Sequence, residues 1–203
     1  MKKSIIAVAS LLVVGVLFLA GCQSKGDGEA NSEKVLRVGT EGTYSPFSFR
    51  DDNDKLTGYD VDVAKAVAKK INYKVKFVEA PWDSMLAAFD ANKSDVIFNQ
   101  VSITPERKEK YLFSTPYSVS HPALIVNKDN NEIKDFADLK GKTSAQSLTS
   151  NYAQMAEDLG AEISSVDGFS KAVELVGDNR ADATLNDDVT CLLYTSPSPR
   201  DRG

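Results

Sequence analysis

Residues 82–100, WDSMLAAFDANKSDVIFNQ, can be laid over residues 169–187, FSKAVELVGDNRADATLND, at a constant offset of 87 and without a gap. Trp82 meets Phe169, Met85 and Leu86 meet Ala172 and Val173, and Phe89 meets Val176. Any two helix-turn-strand units would share that apolar spacing. The polar matches are less generic: Asn92-Lys93 over Asn179-Arg180, Asp95 over Asp182, and Asn99 over Asn186. A repeat of this kind predicts two similar lobes in place of one continuous domain.

The rest of the chain fits that plan. KVLRVGT and YKVKFVEA read as strands, the second with Val75 and Phe77 alternating with lysines, and DVIF reads as a buried strand. Val61, Ala64, Ala68 and Ile71 mark one helix face; Trp82, Met85, Leu86 and Phe89 mark another. Tyr152, Met155, Ala156 and Leu159 mark a third, with Gly160 as its C-terminal stop. Strands alternating with helices imply an α/β architecture with largely parallel sheets. Ligands of such sheets bind beyond the carboxyl ends of the strands. Gln100 and Asp187 take equivalent places there, so facing lobes would aim both into one cleft.

Composition removes several function classes. The formal charge of −5, which becomes more negative without Lys2 and Lys3, and the lack of a basic stripe argue against nucleic acid as a partner. One histidine, His121, cannot build a His-rich metal site or supply a Ser-His-Asp triad with an obvious partner; beside Pro122 it is expected to be structural. Two cysteines, Cys22 and Cys191, exclude a disulfide framework. No metal and no cofactor is expected.

Thr104-Pro105-Glu106 reads as a helix start, with Thr as N-cap and Pro in the first helical position. Arg107 then falls in the first turn, where the helix dipole disfavours a cation. An anion resolves the conflict: free backbone N–H groups and a guanidinium fork together suit a carboxylate. Ser102 can add a hydroxyl, and Ser147, Thr149 and Ser150 can close from the second lobe. The competing reading of Arg107 is a solvated member of the charge run ERKEK. Asp187, with Asp188 as its rival, offers a carboxylate to an ammonium from the opposite side. A ligand with both charges would bridge the lobes, which describes a free α-amino acid. Tyr44 and Trp82 are placed to line the cleft, although Trp82 is equally a core candidate.

The ends carry their own signals. Lys2-Lys3, the apolar run Ile5 to Ala20 and Leu19-Ala20-Gly21-Cys22 resemble a bacterial lipoprotein signal with its lipobox. The run is short of the roughly 20 apolar residues that span a bilayer. The resemblance implies cleavage before Cys22, lipidation of its thiol and a mature protein tethered to the cell membrane on the extracytoplasmic side. Residues 23–34 are expected to be a flexible linker. Residues 191–203, CLLYTSPSPRDRG, break the preceding pattern and are expected to be a non-native tail on a chain truncated near Thr190.

At these motifs the sequence resembles the family 3 solute-binding proteins, the amino-acid receptors of ABC importers. The matching stretches are LRVGTEGTYSPFSF, LTGYDVDVAKAVAKK with its signature at Gly58 to Asp62, PWDSMLAAFDANKSDVIFNQVSITPERKEKYLFSTPY, DLKGK and NRADATLND, together residues 35 to 190. The resemblance implies a two-lobed, type II periplasmic-binding-protein fold with a hinge: lobe one at 35–126, an incomplete lobe two at 127–190, and a crossover near Val126-Asn127-Lys128. The family chain crosses back to the first lobe after the Asp187 strand, and nothing after Thr190 resembles that return. The resemblance further implies an α-carboxylate held by Arg107, Ser102 and Thr149, an α-ammonium held by Asp187 and the Gln100 carbonyl, and side-chain packing on Tyr44 and Trp82. NQVSIT and SAQSLTSNYAQMA look most like the cystine-binding branch, where Glu41 and Asn151 would be spare polar groups. Partners implied are a small amino acid, the permease subunits of an ABC transporter and the membrane, with no nucleic acid. Cyclohexadienyl or prephenate dehydratases share the fold and would need Glu41 or Glu79 as a general acid; a sensory module would need fused signalling domains.

Overall fold

The computed structural model describes residues 33–196. In chain order the elements are β1 Val35–Thr40, β2 Thr43–Tyr44, β3 Ser48–Arg50, β4 Leu56–Thr57, α1 Tyr59–Lys70, β5 Lys74–Glu79, α2 Trp82–Asp90, β6 Val96–Ile97, α3 Pro105–Lys110, β7 Pro122–Val126, β8 Thr143–Gln146, α4 Asn151–Asp158, β9 Glu162–Ser165, α5 Phe169–Gly177, β10 Ala183–Asp187 and α6 Asp188–Thr195. They form one sheet in the order β5-β1-β6, a second in the order β7-β10-β8-β9, and a small β2-β3-β4 meander. The first sheet is parallel throughout, and β7 is antiparallel to β10 in an otherwise parallel second sheet. The expected α/β fold is present.

Each sheet has its own core. Val38, Ala64 and Phe98 join β1 to α1, with Val75, Phe77 and Tyr117 packed around them. In the second sheet one set, including Ala145, Leu175 and Val176, packs with α5, and another, including Ala156, Ala183 and Leu185, packs with α4. With helices on both faces, β10 is buried along almost its whole length. Leu185 and Leu139 are fully buried, and burial of each side chain stabilises by about 2 kcal/mol.

The polar matches of the repeat have a physical cause. Asn92 and Asn179 both adopt left-handed backbone, φ 57° and 56°, after their helices. Asn tolerates this conformation better than most residues. Asp95 then accepts the Arg37 backbone N–H at 2.8 Å, and Asp182 accepts that of Thr143 at 2.7 Å. In return the Asp95 and Asp182 N–H groups donate to the carbonyls of Arg37 and Thr143. Each copy therefore turns on an Asn and clamps the neighbouring strand with an Asp.

Some expectations are corrected. β7 spans Pro122–Val126 and pairs with β10 from Pro122↔Asp187 to Val126↔Ala183, so the chain passes between the sheets within residues 111–121 and not at Val126-Asn127-Lys128. Hydrophobicity alone could not show which sheet claims PALIV. Ile71 is 47% exposed because α1 ends at Lys70. Gly160 does follow α4 with φ 85°, its N–H bonded to Glu157 O and the Ala161 N–H to Ala156 O. α6 runs through Thr190 to Thr195, with Thr190 and Cys191 buried. Residues 1–32 and 197–203, with the lipobox at Cys22, lie outside the described residues.

Candidate functional site

The parallel strands of both sheets end toward a common cavity of about 540 Å³, a volume that includes its open mouth. Glu41, Tyr44, Trp82, Gln100 and Ser102 line it from the first lobe, and Gln146, Ser150, Tyr152, Asn186 and Asp187 from the second. The structure thus brings together Tyr44, Trp82, Gln100, Ser102 and Asp187. Arg107 and Thr149 stand just behind, not in the wall.

Asp187 ends β10 and is 4% exposed. Its Oδ2 accepts the Tyr44 hydroxyl at 2.8 Å, and its Oδ1 accepts the Ser120 hydroxyl at 2.7 Å together with that of Tyr152. Burial, reinforced by the Asp187 charge, pushes the pKa of both phenols up, so they stay protonated and remain donors. Asp188, the alternative ammonium contact, lies instead beside His121, with its N–H bonded to the His121 carbonyl and its carboxylate 3.5 Å from Nδ1.

Thr104 caps α3 as expected, accepting the Arg107 N–H at 3.2 Å. The Arg107 side chain turns inward: Nη1 donates to Ser102 O at 3.1 Å and Asn151 Oδ1 at 3.3 Å, Nη2 donates to Thr149 O at 3.2 Å, and the guanidinium lies 5.5 Å from the Trp82 ring centroid. All these acceptors are neutral, and burial holds its ionisation below the usual value. Thr149 presents its N–H and hydroxyl to Asp83 Oδ1 at 3.0 and 2.7 Å. Among the described residues, neither Arg107 nor Asp187 has an ion-pair partner. The buried indole Nε1 of Trp82 has no acceptor.

Glu41 borders the cavity with Oε2 accepting Asn99 Nδ2 at 2.7 Å, and burial, with Asp167 and Asp83 adding repulsion, raises its carboxyl above the usual range. Glu79 is paired with Arg50 at 2.7 Å and does not line the cavity. Among the described residues no group of three His, Cys, Asp or Glu side chains could hold a metal ion.

Sequence reasoning missed Asn99, Asn186 and Tyr152 as site residues. Asn99 Oδ1 accepts the Glu41 N–H at 2.8 Å, and Asn186 Oδ1, 2.6 Å from the Tyr44 hydroxyl, shares that hydroxyl's one proton with Asp187. Their correspondence in the repeat was the available signal. Tyr152 reads as one more apolar member of the α4 stripe, but it lines the cavity and its hydroxyl donates to Asp187.

Comparison with known proteins agrees with this architecture. The profile of the bacterial extracellular solute-binding proteins, family 3, matches residues 36–190. The L-cystine-binding protein TcyA of Bacillus subtilis (strain 168) is 46% identical over 98% of this chain and 78% of its own length. An ancestral arginine-binding protein bound to glutamine superposes with a TM-score of 0.78 at 38% identity, over 83% of this chain and 76% of that one. The ancestral amino-acid-binding protein AncCDT-1, a precursor of cyclohexadienyl dehydratase, gives 0.74 at 39% identity, over 79% and 73%. With this match and the two-lobed fold, the chain belongs to the bacterial extracellular solute-binding proteins, family 3.

Proposed function

We propose that this chain is the receptor of an amino-acid ABC importer and that its cavity holds a free α-amino acid. The observation that carries the reading is the pair of uncompensated charges on either side of one cavity: Arg107, half-buried among neutral acceptors just behind its wall, and Asp187, buried among hydroxyl donors. Buried charges are costly unless paired. A ligand carboxylate directed at Arg107 and Ser102, and an ammonium directed at Asp187 and the Gln100 carbonyl, would complete both. Thr149 would join the carboxylate contact by exchanging its bond to Asp83. Tyr44 and Trp82 would pack on the side chain, with the free indole Nε1 available to a ligand oxygen.

L-cystine is the ligand we assign, on the likeness to TcyA and on a cavity whose further polar groups, Glu41 and Asn151, suit a second amino-acid head. Delivery to permease subunits, and anchoring outside the cytoplasmic membrane through a lipid on Cys22, belong to the same proposal. Thermal-shift screening of the free amino acids and cystine tests it, because a ligand of the native state raises the melting temperature by mass action. Cystine should give the largest shift; no shift with any amino acid would contradict the reading. Replacing Cys22 by Ser should move the protein from the membrane fraction to the soluble one.

A second reading has a specific observation behind it: Glu41 borders the cavity with its carboxyl raised, as a general acid requires, and AncCDT-1 is a precursor of a dehydratase. Turnover of prephenate would favour it.

A further inference from the structure

Asp60 is fully buried in the first turn of α1 and lies outside the cavity wall, yet it is tied to a residue that lines it. Its Oδ1 accepts Gln100 Nε2 at 2.7 Å and the Tyr117 hydroxyl at 2.9 Å, while Oδ2 has no partner. The Gln100 amide oxygen accepts the Ser118 hydroxyl at 2.6 Å. Gln100 itself is held at φ 48°, a left-handed conformation uncommon for a residue with a side chain. Strained backbone at a ligand site persists where surrounding contacts over-determine it. Here those contacts come from α1 through Asp60 and from the segment between the sheets through Tyr117 and Ser118.

An ionised carboxylate with an orphaned oxygen is an expensive way to hold an amide, since an apolar or neutral residue could fill the space at less cost. The groups facing Asp60 are Gln100 after β6 and Tyr117 from the crossing segment; Tyr59, its neighbour on α1, donates to the Tyr117 carbonyl, and Asp187 adds repulsion. None is a cation. A positive ligand group between Gln100 and Asp187 would supply one.

We propose that Asp60 is a positioning residue of the binding site, whose negative charge fixes the Gln100 backbone against the cavity and is itself stabilised when a ligand ammonium enters. This inference rests on the amino-acid reading of the cavity. Burial raises the Asp60 carboxyl to about 6, and a proton arriving at the free Oδ2 turns two charge-assisted bonds into weaker neutral ones. Ligand and proton therefore oppose each other, and affinity falls as pH drops through that region.

The full chain is compared with Asp60→Asn, which keeps an acceptor for Gln100 and Tyr117 and removes the charge. In ligand-free protein the Gln100 side-chain amide resonance should titrate near pH 6 in wild type and stay flat in D60N. Tyr117→Phe, which leaves the carboxyl in place, should move that midpoint upward. By calorimetry between pH 7.5 and 5, L-cystine affinity should fall about fivefold more in wild type than in D60N, the change expected over that range if the ligand lowers the carboxyl by one unit from about 6. A Gln100 resonance indifferent to pH in wild type, or parallel affinity profiles in the two proteins, overturns the proposal. Absence of cystine binding at either pH removes the cystine assignment alone, because the Gln100 titration decides the coupling without ligand.

Discussion

Asp83, in the first turn of α2, and Thr149, just before α4, join the two lobes directly: one carboxylate oxygen accepts both the backbone N–H and the hydroxyl of Thr149. A contact between lobes favours the closed arrangement only to the extent that it is lost on opening. Replacing Asp83 by Ala removes two hydrogen bonds of about 0.5–1.5 kcal/mol each. The ligand-free protein should then populate more open states, seen as a larger radius of gyration in small-angle scattering. An unchanged radius would mean that other contacts hold the lobes together.

Arg107→Ala removes the guanidinium that cross-links Ser102, Asn151 and Thr149. With a ligand carboxylate directed at the same group, affinity should fall by about 2–5 kcal/mol in calorimetry. Loss within a factor of two would place the carboxylate elsewhere.

Asp60→Asn should stabilise the ligand-free protein at neutral pH. The carboxyl is raised to about 6 from an ordinary 3.8, so between those values the native state binds more protons than the unfolded one, and stability falls as pH rises through the window. The ionised group costs on the order of 3 kcal/mol above it, by the conversion of about 1.4 kcal/mol per unit. Urea melts at pH 7.5 and 5 should show this slope in wild type and a reduced one in D60N.

Gly58→Ala should destabilise by more than about 2 kcal/mol. Gly58 precedes α1 at φ 122°, and a Cβ there would lie 2.4 Å from the Phe47 carbonyl oxygen. A melting temperature equal to wild type would contradict this account of the signature glycine.

The sequence carried most of the fold and only part of the site. Apolar periodicity located α1, α2, α4 and α5, and the Asn92/Asn179 and Asp95/Asp182 matches reflected real turn and clamp geometry. Thr104 announced the start of α3. What stayed hidden depends on partners distant in sequence: β7 belongs to the second sheet because β10 lies beside it, and Tyr152 reaches Asp187 only once α4 docks. Asp83 was indistinguishable from any acid in a first helical turn, where the dipole alone justifies it. Asp60 likewise gave no sign of burial, since its bonds come from residues 40 and 57 positions away.

The central claim is that opposite charges on the two lobes share one zwitterion. Calorimetry at pH 7.5 with the amino acid giving the largest thermal shift, its methyl ester and its N-acetyl derivative tests this directly, because each derivative removes one charge. The account predicts that the ester loses the Arg107 contact, the N-acetyl form loses the Asp187 contact, and each binds at least about tenfold more weakly, equivalent to about 1.4 kcal/mol. Either derivative binding within twofold of the free amino acid would contradict it.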